Sequence, residues 1–74
     1  MKSGGELIKL CREFRGYTQR VLAKKAGVAY STISNAETGR HEPTYFTVIC
    51  CLQACGFDLD LVTMEARKKG ADDE

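Results

Sequence analysis

Four of the seven glycines punctuate this chain, each closing a stretch of helical periodicity. Gly16 follows residues 6–15, where Leu7, Ile8, Cys11 and Phe14 recur at the spacing of a one-sided helix. Gly27 ends a shorter segment that opens on Thr18, a hydroxyl suited to an N-cap. That segment turns Val21, Leu22 and Ala26 inward and Arg20, Lys24 and Lys25 outward. Gly39 ends a third segment. Gly56 ends a fourth, which starts at Pro43 or Thr44 and carries Tyr45, Val48, Ile49, Cys51, Leu52 and Cys55 inside. Glycine tolerates the left-handed backbone that commonly follows a helix end, so the chain reads as four short helices. Arg40-His41-Glu42-Pro43 is a loop, because proline biases the residue before it away from helical geometry.

The third segment, Tyr30-Ser31-Thr32-Ile33-Ser34-Asn35-Ala36-Glu37-Thr38, differs from the others. Ile33 and Ala36 can face a core, while the rest is small and polar and rich in weak helix formers. Only Gly27-Val28-Ala29 separates it from the second segment, the tight glycine-bearing turn that sets two helices at a steep angle. A bland reading makes the polar strip a solvated face. The functional one makes it polar for a purpose, since it is helical against its propensity.

Beyond Gly56, Phe57-Asp58-Leu59-Asp60-Leu61 alternates apolar and acidic, the period of a strand. The same residues can open a helix with Leu59, Val62 and Ala66 on one side, but the strict alternation favours the strand. A lone strand leaves its backbone groups unsatisfied. With no other strand evident, the expected partner is its own copy in a second subunit. The chain thus divides into a helical domain (1–56), a strand or dimerisation segment (57–66) and a charged tail (67–74) expected to fray.

Seventy-four residues bury only ~60% of their unfolded surface, so the core is thin and oligomerisation is expected. No apolar run approaches the ~20 residues of a membrane span and no apolar targeting segment precedes the first helix, so a cytoplasmic protein without membrane contact is expected. The net charge of +1 hides an asymmetry: residues 1–50 sum to +4 and residues 51–74 to −3. A basic body suits phosphate contact, which depends on the local field. Cys50, Cys51 and Cys55 lack the spacing of a zinc knuckle, and His41 is the sole histidine. The cysteines, Cys11 included, are therefore read as core residues, with no metal and no cofactor.

Gly16-Tyr17-Thr18-Gln19, Leu22-Ala23, Gly27-Val28, Ser31-Thr32-Ile33-Ser34 and Glu37-x-Gly39-Arg40, with Pro43 three residues on, resemble the lambda-repressor-like (Cro/C1, XRE) helix-turn-helix family. The resemblance covers about residues 7–57. It implies an all-α bundle of four helices that binds operator DNA as a dimer and regulates transcription, usually by repression. Carried over by position, it implies that Tyr30, Ser31 and Ser34 face base edges and that Thr18, Gln19, Asn35, Thr38 and Arg40 lie near phosphates. Gln19 would also clamp the third helix. Arg12 and Glu37 would join the first helix to the end of the third in a partly buried, structural salt bridge. Two positions depart from the pattern: Ala29 offers no side-chain N-cap, and Tyr30 stands where Gln or Arg is common. The end of the chain resembles HipB-type antitoxins, which implies a short strand pairing across a dimer through Phe57, Leu59 and Leu61, and a partner toxin as a further possibility.

Function follows from that pattern. The major groove, ~12 Å wide, admits one helix. Helix N-termini at Thr18 and Ala29 can donate N–H groups to phosphates, and Arg20, Lys24, Lys25, Arg40 and His41 would add affinity by counterion release. Two subunits would present two such helices ~34 Å apart to a palindromic double-stranded site. One histidine, no convergent acid pair and no phosphate loop argue against an enzyme.

Overall fold

The computed structural model describes residues 3–68. Helix α1 runs Gly4–Arg15 and begins two residues before its apolar periodicity does, because Ser3 and Glu6 close a reciprocal capping box on its first turn. Helix α2, Gln19–Ala26, starts on Thr18, whose side chain accepts from the backbone N–H of Val21. Helix α3, Tyr30–Thr38, has no side-chain cap at Ala29. Helix α4, Tyr45–Ala54, is capped by Thr44, which accepts from Thr47 N–H.

One core joins the four helices. Ile8, Leu22, Ile33, Val48, Cys51, Leu52 and Cys55 are its most deeply buried side chains. Ile33 and Ala36 are the buried residues of α3, so most of that helix remains outside the core. Tyr45, read from sequence as an inner residue, is instead exposed at the first turn of α4, ahead of the stretch that packs. Gly5 sets how closely α1 crosses α3: a Cβ there would stand 1.9 Å from the Ala36 carbonyl oxygen.

Cys11, Cys51 and Cys55 are buried and Cys50 is half-buried. Burial pushes the Cys11 thiol up to about 11 and the Cys51 thiol to about 12. All three buried thiols are shifted upward, so they stay protonated and unreactive at neutral pH and pack as small apolar groups.

The C-terminal segment corrects the sequence reading. Phe57–Asp60 is a strand, β1, but its partner is a second strand of the same chain, β2, Glu65–Lys68. The two pair antiparallel with Phe57 opposite Lys68 and Asp60 opposite Glu65. Asp60 builds the connection: its Oδ1 accepts from the N–H groups of Val62 and Thr63, and its Oδ2 accepts from Arg67 Nε at 2.8 Å. Met64 takes a left-handed conformation, φ 57°, to close the turn. Leu61, assigned by alternation to the strand, lies in that turn and is exposed. The proposed boundary between residues 66 and 67 falls inside β2, so Arg67 and Lys68 belong to the hairpin rather than to a tail. Residues 69–74, the rest of that expected tail, lie outside the described residues.

The hairpin is fastened to the helices through Arg15. Its Nε donates to the Cys55 carbonyl at 2.6 Å, and its guanidinium lies over the Phe57 ring, 6.0 Å from the centroid. Phe14 meets Phe57 edge to face, with centroids 5.5 Å apart. Gly56, φ 87°, passes so close that a Cβ would stand 2.7 Å from an Arg15 terminal nitrogen.

Candidate nucleic-acid interface

The face formed by α2 and α3 is built from one fixed end and one free end. At the fixed end, Arg12 of α1 and Glu37 of α3 make a bidentate pair, Nε to Oε2 and a terminal nitrogen to Oε1, each 2.8 Å. The side chains are 14% and 4% exposed. Arg12 donates a further bond to the Tyr17 carbonyl at 2.9 Å, and Gln19 Nε2 donates to Glu37 Oε1 at 3.1 Å. One carboxylate thus ties α1, α2 and α3 together. Burial acts to raise the Glu37 carboxyl, but hydrogen bonds from Arg12 and Gln19 outweigh it and hold the group below its usual range. Gln19 is half-buried, and its amide nitrogen is directed at Glu37.

At the free end, Tyr30 and Ser31 are exposed and Ser34 is half-buried, all on a helix whose first turn carries no acidic residue. Small side chains at 31 and 34 keep the surface low, so a flat ligand can come near the backbone. Arg20 of α2 stands over the Tyr30 ring with its Cζ 4.2 Å from the centroid, joining the second residue of one helix to the first of the next. Lys25 Nζ lies 5.2 Å from the Tyr17 ring centroid.

The remaining positions scatter around this face. Thr18 is exposed, and because its oxygen accepts as the α2 cap, its O–H stays available as a donor. Thr38 is exposed but turns its hydroxyl back onto the Ser34 and Asn35 carbonyls at 3.0 and 3.3 Å. Arg40 has an exposed side chain and a backbone N–H donated to the Asn35 carbonyl at 2.9 Å. Asn35 is half-buried and borders a cleft with Thr32, His41, Pro43 and Thr47. The Arg20–Tyr30 stack carried no signal in the sequence, since its two residues lie ten apart on different helices.

Phe57 and Leu59 are partly buried against the core, while the hairpin turn exposes Leu61 and, at 90%, Val62. Leu10, Phe14, Phe57 and Ala66 line an apolar groove between α1 and the hairpin. Among the described residues no helix is long and apolar enough to cross a membrane, and no cluster of His, Cys, Asp or Glu is arranged to hold a metal.

A family model described as a helix-turn-helix domain matches residues 5–63. The chain is also 39% identical over 54 residues to a protein named Antitoxin HipB from Escherichia coli (strain K12). That alignment covers 73% of this chain and 61% of the relative. No solved structure matches significantly.

Proposed function

We propose that this chain, which belongs to the lambda-repressor-like (XRE) helix-turn-helix family, is a sequence-specific regulator of transcription that binds double-stranded DNA as a homodimer and represses from a palindromic operator. The observation that carries this reading is the outward face of α3: exposed, polar, low and free of acid at its leading turn. Tyr30, Ser31 and Ser34 lie against base edges in the major groove. Thr18, the N–H groups at the starts of α2 and α3, and Arg40 hold the flanking phosphates, and Lys24 and Lys25 add sequence-independent affinity. Gln19 and Thr38 act one step back, since the Gln19 amide nitrogen donates to Glu37 and the Thr38 hydroxyl to the Ser34 and Asn35 carbonyls. The Asn35 carbonyl holds the turn after α3 by accepting from Arg40 N–H.

The hairpin joins the two subunits. A two-stranded sheet leaves an outer backbone edge on each strand, and Leu61 and Val62 add exposed apolar surface at its tip. Replacing both tip residues by aspartate leaves the core untouched and is expected to give a monomer at micromolar concentration in sedimentation. A stable dimer would place the interface elsewhere.

Selection of bound duplexes from a random pool tests the DNA reading directly. A consensus of two inverted half-sites about one helical turn apart is expected. Retention at low ionic strength no better than that of a neutral control protein would end the proposal. A second reading, in which the same protein also neutralises a toxin, is favoured by the likeness to a protein named as an antitoxin. Recovery of a stoichiometric protein partner from the native cells, in addition to DNA, is its expected mark.

A further inference from the structure

The bundle presents Tyr30 where a base-reading side chain is wanted, yet a phenol offers a single hydroxyl and cannot grip a base at two points. The group that can is directly above it. Arg20 is exposed, its Cζ is 4.2 Å from the Tyr30 ring centroid, and Tyr30 itself is 39% exposed. Among the described residues no carboxylate and no carbonyl takes a hydrogen bond from Arg20. Neither α2 nor α3 carries an acid in its first turn. The other arginines ahead of the hairpin are placed differently: Arg12 is consumed by Glu37 and Tyr17, Arg15 by Cys55 on the hairpin side, and Arg40 lies beyond the C-terminal end of α3, away from its leading turn.

We infer that Arg20, held over the Tyr30 ring, is the guanine-reading residue of this interface, with Tyr30 as the platform that aims it. This rests on the DNA-binding reading above and deepens it. Arg20 Cζ over the ring places the guanidinium at contact distance. A guanidinium that stacks on an aromatic face keeps its N–H edges free in the plane to pair with the O6 and N7 acceptors of guanine in the major groove. The ring also restricts a long, flexible side chain before the ligand arrives, so less rotamer freedom is lost on binding. Arg20 is the second residue of α2 and Tyr30 the first of α3, so the pair sits at the junction between the helix that abuts the backbone and the helix that enters the groove. A lysine at position 20 would keep the charge but lose the planar fork and with it the two-point contact.

The test is duplex selection with four full-length proteins: the parent, Arg20→Lys, Tyr30→Phe and Tyr30→Leu. Both positions lie outside the core, and equal melting temperatures confirm intact folds. The parent should select a nearly invariant G·C pair at one position of each half-site. Arg20→Lys should lose roughly 10-fold or more of the preference at that pair while its binding to random duplex and its salt slope stay unchanged. Tyr30→Phe keeps the ring and should keep the preference at that G·C pair while losing affinity through its own missing hydroxyl, whereas Tyr30→Leu should weaken the preference itself. An unchanged consensus in Arg20→Lys, an equal loss on all duplexes, or an unaffected guanine preference in Tyr30→Leu would each overturn this assignment while leaving the DNA-binding reading intact. A parent that retains no duplex would overturn that reading, and this one with it.

Discussion

The two ends of α3 are built on opposite terms. Its C-terminal end is locked: Glu37 accepts from Arg12 twice and from Gln19, Thr38 bonds back into its own helix, and Gly5 lets α1 press against Ala36. Its N-terminal end is open: Ala29 caps nothing, Ser31 is exposed, and Tyr30 is exposed with Arg20 over its ring. A short helix of weak helix formers cannot hold itself rigid, because nucleation is costly and tertiary packing supplies most helical stability. Fixing one end therefore allows the other to stay sparse and accessible without fraying. The comparison also separates two kinds of polar residue: those at the C-terminal end are partnered within the protein, and those at the N-terminal end face outward, where the proposed interface would use them.

Gly5→Ala should break the locked end most severely. Its methyl would meet the Ala36 carbonyl at 1.9 Å, so α1 must shift away from α3. A loss of roughly 3 kcal/mol or more is expected in denaturant unfolding. A loss below ~1 kcal/mol would mean that the helices separate easily and that the lock is weaker than the geometry indicates.

Glu37→Gln comes next. It removes the charge that partners a guanidinium only 14% exposed, and about 2–3 kcal/mol of stability should go with it. A change within the ~0–1 kcal/mol of surface pairs would contradict the partial burial of the bridge.

The same carboxylate sets a pH dependence. Because its folded-state pKa lies below its ordinary value, the stability it contributes is present above the unfolded pKa, near 4.5, and is lost as pH falls through the folded one. Asp60 shifts in the same direction, through Arg67 and then the backbone N–H groups of Thr63 and Val62. Urea midpoints of the parent should decline as pH is lowered from about 5 toward 3. Glu37→Gln should flatten that decline, and an identical profile in the two proteins would show that acid unfolding is governed elsewhere.

The open end should respond least in stability and most in selectivity. Ser31→Ala combined with Ser34→Ala should leave the melting temperature nearly unchanged while altering the selected consensus. Lys24→Ala should weaken all duplexes alike and lower the salt slope by about 1. Equal losses on cognate and random duplex for the serine pair would remove them from the base-reading set.

Much of this was legible in the chain. Glycine stops and threonine caps act over three or four residues, so the helix limits near residues 15, 26, 38 and 54 follow from local chemistry. The start of α1 departs from its apolar periodicity because a capping box, Ser3-x-x-Glu6, carries the helix back to Gly4. The polar strip on α3 stood out by composition, and the Arg12–Glu37 spacing was recognisable only through family resemblance, since 25 residues separate the two.

What the sequence could not supply was the partner of each long-range contact. Alternation in Phe57–Asp60 announces a strand, but Glu-Ala-Arg-Lys at 65–68 has a single apolar residue and no strand period. That second strand exists because Asp60 and the left-handed Met64 reverse the chain, and because β1 has already been placed against the core by Phe57 and Leu59. The same holds for Arg20 over Tyr30, which depends on the angle of the α2–α3 turn. Local hydrogen bonds and periodicity are encoded within a few residues. Which surfaces then meet is decided by where the packed helices deliver them.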